Sequence, residues 1–286
     1  MIRNIRLAER VHAYRGTKEV VFGTHQVKKR EYIVTHFRGD DSSPGPTLME
    51  RGADQGGRGR GERGAEGRPR RWVEWGSRHD YWLRDADRLL TNYTIERDGP
   101  REVAGRTGSR YVVRSRLADE KRPTLELVVD DETGLLLSYR QVNWQGSATL
   151  TSSFTTLVID PDVMPERPVR DVKAGAEAAT TDASSAPSFS LLTPQFLPAG
   201  FRARGEGRRS GRNGTGWKTI YSDGLTWFEI RQWPAKEGAE EGVLKRSVRG
   251  SHVWMRMTHA GVSISLYGGL APEELERVVR SLKPRN

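Results

Sequence analysis

Residues 103–146 constrain the fold of this chain more than any other stretch. Strand-like runs alternate there with turns, and Leu125, Leu127 and Val129 point to one face of the central strand. Residues 130–134 follow as a hairpin loop whose glycine adopts a positive φ at low cost. The stretch predicts a ladder of long antiparallel strands with one apolar face, which needs either a core or an apolar ligand to cover it.

The rest of the sequence predicts further strands and two helices. Apolar residues at helical spacing predict an amphipathic helix over residues 2–14 and a terminal helix over residues 272–283. Residues 85–87 are interpreted as a turn between strands. We expect strands at residues 19–24, 29–38, 71–75, 80–84, 89–97, 110–116, 124–130, 135–142, 152–159, 215–222, 225–233, 243–248, 251–258 and 262–268.

Composition divides the chain into two predicted domains. Residues 1–160 form the first and residues 188–286 the second, and a linker rich in Pro, Ala, Thr and Ser occupies residues 161–187. Residues 40–70 are dominated by Gly, Arg and acidic side chains, which offer almost nothing to bury. We therefore expect a disordered insertion there, and this fits the low mean hydropathy of −0.69.

The residue types exclude most catalytic and metal chemistry. The absence of cysteine excludes disulfides, Cys-zinc sites and thiol nucleophiles. The histidines are scattered; His25 and His36 could face each other across a hairpin, but no carboxylate at ligand spacing supports a metal site. The acidic residues 130–132 are explained by their turn, and no nucleophile elbow occurs. We expect no catalytic residue, no metal and no cofactor.

The net charge of +10 raises the question of nucleic-acid binding. The excess is spread along the chain, is almost entirely arginine, and accompanies no known nucleic-acid motif. We therefore expect no nucleic acid as partner, and a basic surface facing anionic lipid or an acidic partner peptide is favoured. A cytosolic RNA-associated protein that uses the Gly-Arg repeats of residues 40–70 stays an alternative.

A series of short motifs runs through both predicted domains. They are Val-Ala-Gly-Arg at 103–106, Arg-Pro at 122–123, an aliphatic strand ending at Asp130, Thr-Gly-Leu-Leu-Leu at 133–137, Phe-Thr-Thr-Leu at 154–157, Leu-Pro-Ala-Gly-Phe at 197–201 and Tyr-Ser-Asp-Gly-Leu at 221–225. Their order and spacing resemble the MucB/RseB family of sigma-E regulators, whose N-terminal domain is related to the LolA lipoprotein carriers.

The resemblance implies a mainly β (α+β) fold. Its N-terminal domain would be a LolA-like unclosed antiparallel β-barrel with short covering helices. A smaller C-terminal antiparallel sheet would carry one terminal helix. The implied function is that of a non-enzymatic regulator outside the cytoplasm. It would bind the outer segment of an anti-sigma factor and respond to lipid or a mislocalised lipoprotein.

An apolar ligand face is the only site that the sequence suggests. An acyl chain requires an open sheet face lined with aromatic and aliphatic side chains, and the LolA-like fold uses its concave face in this way. The candidate lining residues are Trp72, Trp82, Leu127 and Leu137. A LolA-like carrier of lipid or lipoprotein would use the same face, so the sequence leaves the carrier and the regulator as alternatives, and it leaves the oligomeric state open.

The localisation follows from the resemblance alone. Residues 1–6 are not a signal peptide because no apolar h-region follows their charges. We expect a periplasmic or extracytoplasmic protein whose export signal or anchor lies upstream of this sequence, with contact to a membrane surface left open. A cytoplasmic protein is the alternative.

Overall fold

The computed structural model is built on two antiparallel sheets that lie one after the other along the chain. It describes residues 1–23, 27–39, 47–51, 73–74, 85–117, 121–164, 187, 189–211, 214–249 and 252–285. Strands dominate these residues and the helices are short. The predicted fold class is confirmed.

The first sheet has nine strands in the order β4-β3-β2-β1-β9-β8-β7-β6-β5. Its strands are β1 (Tyr14–Phe22), β2 (Lys28–His36), β3 (Thr47–Arg51), β4 (Val73–Glu74), β5 (Tyr93–Val103), β6 (Arg106–Ser115), β7 (Thr124–Asp130), β8 (Leu136–Val142) and β9 (Ala148–Ile159). All neighbours are antiparallel, and no pairing between described residues joins β4 to β5. The sheet is therefore open, in agreement with the predicted unclosed barrel.

Two helices accompany this sheet, α1 (Ile2–Val11) and α2 (Ala86–Asn92). The predicted stripe of α1 is buried at Ile2, Ile5 and Ala8, whereas Val11 at its end is 44% exposed. Helices with one apolar stripe pack that stripe on a sheet, as α1 does here. None of the helices in the described ranges is long and apolar enough to cross a membrane.

Helix α2 corrects the sequence prediction, which placed a strand at residues 89–97. The chain is helical to Asn92, and strand β5 begins only at Tyr93. Asp87 lies in the first turn, where the helix dipole favours an acidic residue, and Arg88 pairs with Asp85 at 3.3 Å. The only buried residue of α2 is Leu89, whose side chain packs in the hydrophobic core of the first sheet and whose backbone lies against Gly224, far along the chain. This long-range contact leaves no periodic pattern in the sequence.

The second sheet has six strands in the order β11-β12-β13-β16-β15-β14. Its strands are β11 (Arg202–Gly211), β12 (Gly214–Ser222), β13 (Trp227–Pro234), β14 (Lys245–Arg249), β15 (His252–His259) and β16 (Val262–Gly268). A small sheet joins β10 (Leu192–Pro194) to β17 (Leu282–Pro284). The terminal helix α3 (Pro272–Arg280) buries Leu275, Val278 and Val279 against one face, as its spacing predicts.

Part of the predicted insertion is ordered. Residues 47–51 form strand β3, which pairs with β2. Met49 in this strand is only 1% exposed, and its burial stabilises the strand. The other residues between 40 and 70 lie outside the described residues, as do residues 165–186 of the predicted linker. Strand β11 was not predicted, because its Gly- and Arg-rich sequence lacks an apolar pattern.

Candidate functional site: faces of the two sheets

One face of the nine-stranded sheet is covered by helices. Leu125, Leu127 and Val129 of β7 share a hydrophobic cluster with Ile5 of α1 and Leu89 of α2. The alternation that the sequence shows in β7 therefore places these leucines on the covered side. The cluster occupies the face that the sequence assigned to an apolar ligand.

The four predicted ligand-face residues fall into two groups. Leu127 and Leu137 both have an exposure of 0%, and Leu127 is part of the cluster. Leu137 lies at a register shift between β7 and β8, between Leu136 and Ser138. Trp72 and Trp82 lie outside the described residues. A shared ligand face for the four residues stays a prediction.

A loop from the second sheet completes the covered face. Leu225, in the turn between β12 and β13, belongs to the same cluster as Leu127 and Leu89, and its exposure is 1%. Gly224 has a φ of +104°, and a Cβ there would overlap the backbone of Leu89. Leu225 therefore packs in the core of the first sheet, although the second sheet has a hydrophobic core of its own.

Hydrogen bonds fix the position of this loop against α2. The carboxylate of Asp223 accepts hydrogen bonds from the backbone N–H of Leu225 at 3.0 Å and of Thr226 at 2.7 Å. The hydroxyl of Tyr93 donates to the same carboxylate at 2.6 Å, and the side chain of Asn92 donates to its backbone oxygen at 2.8 Å. Burial raises the pKa of Asp223 above its ordinary value, and these donors oppose that effect.

Arg122 forms a second contact between the two halves. Its side chain is only 2% exposed, lies 3.5 Å from the carboxylate of Glu274 on α3, and stacks 5.0 Å from the ring of Phe201. It also donates to the backbone oxygen of Ala199 at 3.4 Å. The motif Arg122-Pro123, recognised only as part of a family pattern, thus connects the first sheet to the second half of the chain.

The opposite face of the nine-stranded sheet, which no described helix covers and which we call its free face, is polar and electrically balanced. Glu126 lies 3.1 Å from Arg110 and 2.8 Å from Arg140, and Arg110 also pairs with Asp98. Glu126, Arg110 and Arg140 border an open groove of about 590 Å³, together with the hairpin tip at Val103. Arginines alternate there with carboxylates, so the groove has no strong preference for an anion or a cation.

The free face of the six-stranded sheet, which likewise no described helix covers, has a different composition. Tyr267 of β16 stacks on His252 at 4.8 Å and lies 5.4 Å from Trp254, both on β15. Arg256 lies 5.1 Å from the ring of Trp254. The sequence analysis missed this surface. A signal was present in Arg231-Gln232-Trp233 and in Trp254-Met255-Arg256, because an Arg and a Trp two residues apart lie on the same face of a strand.

His36 has a structural role in the first sheet. Its Nε2 donates to the backbone oxygen of Glu9 at 2.6 Å, and its Nδ1 lies 2.7 Å from the hydroxyl of Thr47. Burial lowers its pKa to about 4, so the ring is neutral at physiological pH. His25 lies outside the described residues, and no group of three or more His, Asp or Glu side chains within the described ranges could hold a metal ion.

Part of the chain matches a known protein family. Residues 76–174 match the model of the MucB/RseB N-terminal domain. These residues include α2, strands β5 to β9 and the motifs at 103–106, 122–123 and 133–137. The resemblance to the MucB/RseB family is confirmed. No curated protein sequence matches the chain significantly.

Solved structures with the same fold extend over the whole chain. A crystal structure of MucB in complex with MucA(peri) superposes with a TM-score of 0.68 at 21% identity, covering 100% of this chain and 98% of the other. The Pseudomonas aeruginosa MucA/MucB complex gives 0.63 at 20% identity with the same coverage. MucB without a named partner gives 0.55 at 19% identity, covering 99% and 96%. The MucB-like fold thus includes both sheets.

Proposed function

We propose that the protein is a non-enzymatic extracytoplasmic regulator that binds the outer segment of an anti-sigma factor. The MucB/RseB family assignment and the MucB-like fold over the whole chain support this proposal. In two of the similar structures MucB is bound to MucA. A periplasmic or other extracytoplasmic location follows from the same assignment.

We further propose that the helix-covered face of the first sheet accepts an acyl chain from a lipid or a mislocalised lipoprotein. Trp72, Trp82, Leu127 and Leu137 are the candidate contacts. Each CH₂ group buried there contributes about 0.8 kcal/mol, so a fatty acyl chain carries enough free energy to displace helix and loop side chains. The displaced groups would include those that now fill the face.

Leu225 is the single observation that carries this mechanism. It is a residue of the second sheet's β12–β13 turn, yet it packs in the core of the first sheet. An acyl chain that enters this core competes with Leu225, so it changes the contact between the two sheets. If the partner segment binds the docked arrangement more tightly, lipid and partner weaken each other reciprocally.

The test measures the affinity of an anti-sigma outer segment with and without a single-chain phospholipid. We expect lipid to weaken partner binding in the wild-type protein. In Leu225→Ala the competing side chain is gone, so lipid should have a smaller effect. Val248→Ala, at a 47% exposed position on β14, is the matched control and should behave as wild type.

Three results would contradict the proposal. If the anti-sigma segment does not bind, the proposed regulator function is wrong. If lipid does not change the affinity for the segment, the proposed sensing step is wrong. Rapid transfer of lipid between vesicles in the absence of any anti-sigma segment would favour the carrier alternative, which uses the same face.

A further inference from the structure

Ser265 lies at the centre of the free face of the six-stranded sheet. On β16 it is the direct cross-strand partner of Arg231 on β13 and of Arg256 on β15. Directly opposed side chains in a sheet have Cβ atoms about 5 Å apart, so both arginines flank the serine. The exposure of Ser265 is 5%, and its hydroxyl has no hydrogen-bond partner among the described residues.

Two tryptophans lie diagonally across this centre. Trp233 follows Arg231 by two residues on β13, and Trp254 precedes Arg256 by two residues on β15. Trp233 packs over Gly216 of the next strand, where a Cβ would overlap the indole ring. The glycine therefore makes room for the tryptophan, which forms one wall of the groove.

Several buried donors in this groove have no partner within the described ranges. They are the indole N–H of Trp233, the indole N–H of Trp254, Nε of Arg231 and the hydroxyl of Ser265. The Nη2 of Arg231 is already paired with Glu229, so Nε is its remaining buried donor. A buried donor without an acceptor costs about 1–3 kcal/mol. Several such donors in one groove favour a ligand that brings acceptor oxygens.

Charge restricts the chemistry of that ligand further. The groove of about 570 Å³ is lined by Arg209, Lys245 and Arg256 in addition to Arg231, whereas Glu240 is the only acidic residue among the described residues that line it. A carboxylate satisfies both requirements because it is an anion and accepts hydrogen bonds on both oxygens. Val243, Met257 and the two indoles provide apolar contacts beside it.

We propose that this groove binds an extended acidic peptide segment, with one carboxylate over Ser265 between Arg231 and Arg256 and an apolar neighbour against Trp254. A flat lipid surface cannot enter a groove whose central residue, Ser265, is only 5% exposed. Nucleic acid requires cations along several successive phosphates rather than one central cluster. The inference rests on the proposed function in one respect, namely that the partner is a protein segment.

The test uses the full chain and a fluorescein-labelled peptide of about eight residues in which Glu and Leu alternate, so that one face carries carboxylates. A matched peptide replaces Glu by Gln. We expect saturable binding of the Glu peptide, measured by fluorescence anisotropy, and at least about tenfold weaker binding of the Gln peptide, since charge-assisted hydrogen bonds are lost.

Two variants locate the site. Arg256→Gln should weaken binding of the Glu peptide by about tenfold or more, and Lys245→Gln on the edge strand should weaken it less. Arg246→Gln is the matched control because Arg246 neighbours Met255 of the helix-covered core and lies on the opposite face of the same hairpin. It should bind as wild type. Thermal unfolding of each variant checks that the sheet is intact.

Each alternative result contradicts the inference in its own way. Equal affinity for the Glu and Gln peptides would show that the protein does not recognise a carboxylate. Equal affinity of the Arg256→Gln and Arg246→Gln variants would show that the peptide does not bind in this groove. Binding of phosphatidylglycerol vesicles or of a single-stranded RNA oligonucleotide that depends on Arg256, without peptide binding, replaces the peptide by another anion. Peptide binding with no affinity for an anti-sigma segment would leave the groove intact and refute the proposed partner.

Discussion

The two sheets differ in the chemistry of their free faces. Each buries one face under helices, α1 and α2 on the first and α3 on the second. On the free face of the first sheet, Arg110 and Arg140 share Glu126. On the free face of the second sheet, Arg256 lies against Trp254, and the neighbouring hydroxyl of Ser265 is buried with no hydrogen-bond partner among the described residues.

This difference distinguishes a solvated face from a recognition surface. Surface ion pairs between alternating charges contribute little free energy and leave the face satisfied in water. Buried donors without acceptors cost free energy, so several of them in one groove favour binding of a ligand that supplies acceptors. The second sheet therefore carries the stronger candidate for a recognition surface, whereas the sequence pattern pointed to the first sheet.

The largest expected effect comes from the covered face of the first sheet. Leu127→Ala should lower the free energy of unfolding by about 3 kcal/mol, because it leaves a cavity at a fully buried position. Val248→Ala on the exposed edge of the second sheet should change it by less than about 0.5 kcal/mol. Urea unfolding measures both. A small loss for Leu127→Ala would mean that this face is loosely filled and open to ligands.

Acid should weaken the first sheet selectively through His36. Burial lowers the pKa of His36 to about 4 in the folded protein, below the unfolded value of 6.5. The unfolded state therefore binds more protons between these values, and stability falls by about 3 kcal/mol as the pH is lowered through this window. Urea unfolding at several pH values should show a smaller loss in His36→Gln. His259→Gln in the second sheet should retain the full loss.

The contact between the sheets should respond to Tyr93→Phe. The change removes the hydroxyl that donates to the buried carboxylate of Asp223, so we expect a loss of about 1–2 kcal/mol in unfolding free energy. Limited proteolysis between the sheets should also become faster. Tyr111→Phe removes a hydroxyl of the first sheet outside this network and is the control. Equal effects of the two variants would contradict a specific role for the Tyr93–Asp223 bond.

The smallest expected effect concerns the balanced face. Arg110→Gln should cost at most about 1 kcal/mol, because Arg110 is partly exposed and its ion pairs are screened by water. The loss should shrink further in high salt, as measured by urea unfolding at two salt concentrations. A large, salt-independent loss would show that this face is as tightly constrained as a buried site.

Much of the fold was determined by local sequence patterns. The alternation of Leu125, Leu127 and Val129 predicted a strand with a covered face, and the stripe of Leu275, Val278 and Val279 predicted α3. Such patterns predict the folded structure because a strand or helix must bury its own apolar face, whichever element covers it. The short family motifs added the order of the elements, and hence the MucB-like fold.

The tertiary structure decided the features that depend on distant partners. Helix α2 was predicted as a strand because its one buried residue, Leu89, is fixed by the loop at Gly224, far along the chain. The centre of the groove, around Ser265, is built from three strands, and no single strand shows that its donors converge. Local periodicity reports which face of an element is apolar, but only the packed sheets decide which polar groups lose their contact with water.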